Sequence, residues 1–178
     1  MLQTPKMQTN SKCGDLLMKW HVGERVVYPS HGVGEVVSIE SNELFGPGAQ
    51  VYVLELMQSS KRRVMISTDK AEKGALRAIV DEAEARKIVS SLKEAPPASK
   101  SVPWTKRQRI LLDKLSSSSL QDVADVVREL YHLKNVKDLS FGQRRLFDTA
   151  ISLIVQELSV ALDRPADAIE KEIRAMFV

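Results

Sequence analysis

The sequence predicts an α+β chain of two modules, an N-terminal Tudor/SH3-like small β-barrel followed by a C-terminal compact helical domain. Three observations predict it. Over residues 20–80 the apolar residues fall in short β-branched runs divided by Gly- and Pro-containing turns, the pattern of short strands. Beyond residue 80 they recur at helical spacing. Two adjacent prolines, Pro96 and Pro97, interrupt that second region, and a chain of 178 residues divides readily into two small domains.

Taken in order, residues 1–19 are mostly polar and aperiodic and are expected to be a disordered tail. Strands are expected at 25–28, ending before Pro29; at 33–39, after a turn at Gly32; at 50–56; at 62–67, after a turn over 58–61; and at 77–80. In the third, Val51 and Val53 face one way and Tyr52, Leu54 and Leu56 the other. Phe45-Gly46-Pro47-Gly48 is a turn signal between the second and third. Five such strands make the β module of residues 20–80. A connecting helix over 81–93 follows, with Asp81 and Glu84 as a capping box and Ala85, Ile88, Val89 and Leu92 inward. Residues 94–102 are the linker, since paired prolines disfavour helix.

Residues 103–178 form the helical domain. Its first helix opens at Pro103 and runs to Leu115. A Ser118–Gln121 capping box is expected to start the second, whose stripe is Leu120, Val123, Ala124, Val127, Leu130 and Tyr131. Ser140 and Gln143 cap the longest helix, to about Leu162. It is apolar on both sides and so expected to be central, with Leu146 and Ile154 on one side and Ile151 and Val155 on the other. Pro165 opens the last helix, with Ile169, Ile173, Met176 and Phe177 inward.

Composition narrows the function. No apolar run reaches the roughly 18 residues that a membrane helix needs, and the N-terminus has no secretory pattern. The single cysteine, Cys13, excludes an internal disulfide and fits a reducing, cytoplasmic protein. A net charge of +3 calls for no more than a local contact with an anionic partner. His21, His31 and His132 stand far apart, and no nucleophile–base or metal-ligand spacing assembles around them. Gly32 and Gly34 are read as a tight turn, because no Lys-Ser/Thr follows them. The expectation is a non-enzyme with no metal and no cofactor.

Two features stand out. Trp104 begins a helix beside Lys106, Arg107 and Arg109, with Arg144 and Arg145 early in the longest helix. An aromatic ring beside cations suits a base stacked on the ring with its phosphates held by charge, a contact worth ~1–3 kcal/mol per base. Spacing equally allows Trp104 to be a hydrophobic anchor between linker and helix. The second feature is Arg63-Val64-Met65, a charged and apolar strand that suits pairing with another protein's sheet. The same arginines would also guard an edge from pairing.

The order of motifs resembles a known family. Val22-Gly-Glu-Arg-Val-Val-Tyr28-Pro29, His31-Gly-Val-Gly-Glu-Val36, Val51-Tyr-Val-Leu-Glu-Leu56, Arg63-Val-Met-Ile66, Val126-Val-Arg-Glu-Leu-Tyr131 and Asp138-Leu-Ser-Phe-Gly-Gln143 resemble CarD-like (CdnL) transcription factors from about Trp20 to Phe177. The β half also resembles the polymerase-binding module of transcription-repair coupling factors. The resemblance implies a Tudor-like domain bound to the RNA polymerase β subunit by strand pairing through Arg63, Val64 and Met65. It implies a helical domain at the upstream edge of the promoter bubble, where Trp104 is the minor-groove wedge and Lys106, Arg107, Arg109 and Arg144 are basic DNA contacts. The protein would then be a monomer that stabilises the promoter open complex without reading sequence, found at the nucleoid through the polymerase. Met65 stands where some relatives carry a basic residue, and Ser67 where many carry proline. Two other functions fit the residues alone: a protein–protein adaptor with a structural Trp104, and a reader of modified side chains, which would need an aromatic cage drawn from Trp20, Tyr28, Phe45 and Tyr52.

Overall fold

A computed structural model describes residues 18–57, 62–96 and 102–176. The expected tail up to residue 17, the turn over 58–61, part of the linker and Phe177 lie outside the described residues.

Four strands, β1 (Arg25–Tyr28), β2 (Gly32–Ser41), β3 (Gln50–Leu56) and β4 (Arg63–Ser67), form one antiparallel meander in the order β1-β2-β3-β4. Ser30 and Gly32 both take positive φ in the tight β1–β2 turn, which is why glycine stands where β2 begins. A bulge between Val36 and Ser38 shifts the β2–β3 register and bends the long strand. Central β3 is buried on both faces: Val51, Tyr52, Val53, Leu54 and Leu56 are all in the interior.

The expected fifth strand contracts to one bridge. Val27 and Arg77 exchange N–H···O bonds of 2.8 and 3.1 Å, and the chain then leaves the sheet. Among the described residues no ladder joins β1 to β4, so backbone pairing does not trace a closed barrel. Between β4 and Arg77 lies a helical turn that the sequence reading missed, α1 (Thr68–Lys70) running into a π turn at Ala71–Ala75. Ser67 caps it through its hydroxyl, accepting the Lys70 N–H at 3.4 Å. Ser67 therefore ends β4 and starts the turn at once. Ala71 and Leu76 close the β core over Trp20, Val26, Val36, Tyr52, Leu54 and Ile66. Met18, inside the tail expected to be disordered, packs against that core as well, and its sulfur accepts from the Tyr52 hydroxyl at 3.6 Å.

The remaining helices are α2 (Glu82–Ser91), α3 (Trp104–Leu115), α4 (Leu120–Val136), α5 (Phe141–Ala161) and α6 (Ala166–Ala175), which share a single core. Asp81 caps α2, and Ser140 with Gln143 forms a reciprocal box at α5. The Ser118–Gln121 box does not form. Ser119 is the N-cap of α4 without a side-chain bond, and the Gln121 amide donates instead to Asp125 at 3.3 Å and Ser91 at 3.5 Å. Helix α5 is surrounded as expected: Leu146, Ala150, Ile154 and Leu158 are buried, and so are Ile151 and Val155. Each large side chain so buried contributes roughly 1.5–3 kcal/mol. Helix α2 joins the same core through Ala85, Ile88 and Leu92.

The two modules meet at a polar seam. Glu157 of α5 is 2% exposed and accepts from Arg77 Nη1 at 2.5 Å, Arg77 Nη2 at 2.8 Å and the Val80 N–H at 3.2 Å. Beside it Gln156 lies so close to Gly32 that a Cβ there would stand 2.3 Å from its Oε1. That oxygen accepts the Val33 N–H at 3.4 Å. Ser30 and Ser116 hydroxyls, 3.0 Å apart, tie the β1–β2 turn to the end of α3. This seam fixes how the β4 edge and the start of α3 are presented relative to each other.

Candidate functional site

Helix α3 opens at Trp104, directly after Pro103, whose fixed φ suits a helix start. The indole is partly buried and packs against the helical core, while Thr105 and Lys106 beside it are exposed. Trp104 is thus held on one side and open on the other. Lys106 and Arg109 are exposed and make no ion pair among the described residues.

Arg107 differs from the expectation of a free cation. Its guanidinium is bonded to Glu129 of α4, with both side chains mostly buried, at 16% and 20% exposure. It clamps α3 onto α4. Lys114 reinforces that contact at 2.9 Å from Asp125, which also takes Arg128. Burial pushes the Asp125 carboxyl up, but hydrogen bonds from Lys114, Arg128 and Gln121 outweigh it and hold the group below the usual carboxylate range.

Arg107 meeting Glu129 and Lys114 meeting Asp125 run α3 and α4 antiparallel. A short connection then brings the chain from the end of α4 to the start of α5. Trp104, the last turn of α4 and the first turn of α5 therefore share one end of the bundle. Arg144 and Arg145 are exposed there, without an acidic partner among the described residues. Two backbone N–H groups of this first turn are already bonded. The Gln143 N–H is taken by Ser140 Oγ at 3.4 Å and the Arg144 N–H by the Ser140 carbonyl at 2.9 Å. A cavity of about 210 Å³ at this end has Lys134, Arg144 and Arg174 on its wall, with Leu139 and Phe147.

On the β module, β4 pairs with β3 on one side and with nothing described on the other. Arg63 is exposed and holds Glu55 at 3.2 Å, Val64 packs inward, and Met65 is 46% exposed. The Met65 sulfur accepts from Asn42 Nδ2 at 3.6 Å. That contact joins it to a feature sequence reasoning missed: the 3-10 turn Glu43–Phe45, where Leu44 is 93% and Phe45 42% exposed. The signal was two large apolar residues in a turn, where polar residues and glycine are the rule.

The aromatic cage fails. Trp20 and Tyr52 are core residues, and Tyr28 is stacked on His31 with ring centroids 4.3 Å apart. Among the described residues no group of three or more His, Cys, Asp or Glu could hold a metal ion, and no helix is long and apolar enough to cross a membrane.

Comparison with known proteins agrees with this architecture. Residues 20–80 match the model described as CarD-like/TRCF RID domain, and residues 87–174 match that of CarD, C-terminal domain. The chain belongs to the CarD-like family. A Bacillus subtilis (strain 168) protein named "Putative transcription factor YdeB" is similar to it, 31% identical over 141 residues that cover 79% of this chain and 91% of that one. In this CarD-like chain the C-terminal match begins inside α2, the helix whose apolar side lies in the helical core.

Proposed function

We propose that this protein regulates transcription initiation by binding RNA polymerase with one module and the opened promoter with the other. Residues 20–80 are the polymerase-binding domain, with Arg63, Val64 and Met65 of β4 adding to a strand of the β subunit. Residues 81–93 connect, 94–102 link, and 103–178 contact DNA. Trp104 wedges or stacks at the upstream edge of the bubble, while Lys106, Arg109 and Arg144 hold phosphates. Arg107 acts indirectly, by keeping α3 in place. The protein works in the cytoplasm as a monomer, and its effect is energetic with no catalysis.

The observation that carries this reading is the placement of Trp104: anchored on one side, open on the other, with unpartnered cations at the same end of the bundle. The physics requires two modules. A ring and a few cations cannot melt a duplex, because unstacking costs a few kcal/mol. They can hold a junction the polymerase has opened, since anchoring raises the local concentration of the helical module. The protein then favours the open complex only by its greater affinity for it.

Open-complex lifetime with purified polymerase tests the proposal. Trp104→Ala is expected to shorten it, by ~1–3 kcal/mol in stacking energy, while polymerase binding and thermal melting stay nearly unchanged. A folded variant with normal lifetimes overturns the DNA role. The adaptor reading draws on the packed side of the indole and predicts the converse: a loss of ~3–5 kcal/mol in folding stability with no change specific to the open complex.

A further inference from the structure

We propose that Phe141 is a second stacking group for nucleic acid, which receives an unpaired base of the opened promoter apart from the one met by Trp104. The proposal rests on the DNA-facing role given to this end of the bundle. Phe141 is the first residue of α5, and its side chain is 78% exposed. A single exposed apolar ring is ordinary on a protein surface, so its meaning rests on what surrounds it. The backbone beneath it is fixed: the Ser140–Gln143 box closes the turn with bonds of 2.8 and 3.4 Å, so the ring projects from a rigid base.

Its surroundings indicate what covers it. Residues three and four positions on along a helix lie on the same face, and here they are Arg144 and Arg145. Both are exposed, and neither has an ion pair among the described residues. Lys137 is exposed just before the helix, and the neighbouring cavity adds Lys134 and Arg174, the latter also paired with Glu170. Asp138 and Asp148 are the acids on that cavity wall, fewer than the cations around them. An anchor for a protein groove would be ringed by further apolar side chains. Val136, 72% exposed, is the one exposed large apolar neighbour in sequence. A lone ring among guanidinium and ammonium groups instead matches the way single strands are held, with the π face on a base and the cations on the flanking phosphates. Duplex DNA offers no free base face, so the ligand is a single strand or a junction.

The test uses the full chain, purified polymerase and promoter DNA carrying 2-aminopurine at successive positions across the bubble. Phe141→Ala is expected to shorten open-complex lifetime about five- to tenfold, the low end of the stacking range, and to relieve quenching at one position. Phe141→Trp should restore both, and Phe141→Leu should restore neither. Melting should not change, because the ring packs on little; if the alanine variant melts early, the Leu and Trp variants decide alone. Wild-type lifetime and quenching in Phe141→Ala, while Trp104→Ala remains defective, overturns the second contact and leaves the proposed function standing. Full restoration by Leu also overturns it, in favour of an apolar protein contact. Normal lifetimes in both the Phe141 and Trp104 variants overturn the DNA role altogether.

Discussion

At the seam between the modules, the Arg77 guanidinium and the Glu157 carboxylate meet through two N–H···O bonds in a buried setting. At the Trp104 end, Lys106, Arg109, Arg144 and Arg145 face solvent with no acidic partner among the described residues. The same residue types therefore do opposite work. Burying a charge costs several kcal/mol unless a partner and hydrogen bonds offset it, and at the seam Arg77 and the Val80 N–H supply both to Glu157. Cations in water cost little and stabilise little, and so remain available to phosphates. Pairing and burial thus separate the charges that build the molecule from those that serve its proposed partner.

The largest effect is expected from breaking the seam. Glu157→Ala leaves Arg77 mostly buried without its counter-charge and the Val80 N–H without its acceptor. A loss of about 3–5 kcal/mol is expected in urea unfolding, with the two modules melting separately. A single transition at wild-type stability would show that apolar contacts alone fix the modules. Gly32→Ala attacks the same seam from the other side. The residue has φ +93°, and its new Cβ would collide with Gln156 Oε1. About 1–3 kcal/mol should be lost. Adding Gln156→Ala should recover only the part due to collision, because the backbone strain at Gly32 remains. Full recovery by the double variant would mean that the positive φ costs nothing here.

This contrast also explains what could be read from the sequence. The Ser140–Gln143 cap, the α4 stripe and the surrounded α5 are local patterns, and each follows from residues within a few turns of one another. The start of α3 at Pro103-Trp104 was legible for the same reason. The clamp of Arg107 on Glu129 was not, because it depends on the register between two helices. The turn at Thr68–Lys70 is too short to show a period. Glu157 did leave a trace: it continues the row Leu146, Ala150, Leu153, in which every earlier member is buried. A carboxylate in an apolar row calls for a buried partner. Sequence alone does not say that the partner is Arg77, far along the chain in the other module.

The smallest effect on the fold should come from the solvent-facing cations. Lys106→Glu with Arg109→Glu reverses two charges on the exposed side of α3, where neither side chain holds anything in place. Stability should change by no more than ~0.5 kcal/mol, the usual range for such surface positions. Open-complex lifetime should nevertheless fall. The gap between wild type and variant should be widest at low salt and close as salt rises, because ions screen exposed charges over about 10 Å at 0.1 M. Arg107→Ala provides the contrast within the same helix. It strands Glu129 in a mostly buried setting, so it should lower the melting temperature and affect lifetime only through the position of α3. If instead the Lys106/Arg109 variant melts early and Arg107→Ala changes lifetime in a salt-dependent way at full stability, the division between paired and unpaired charges is drawn in the wrong place.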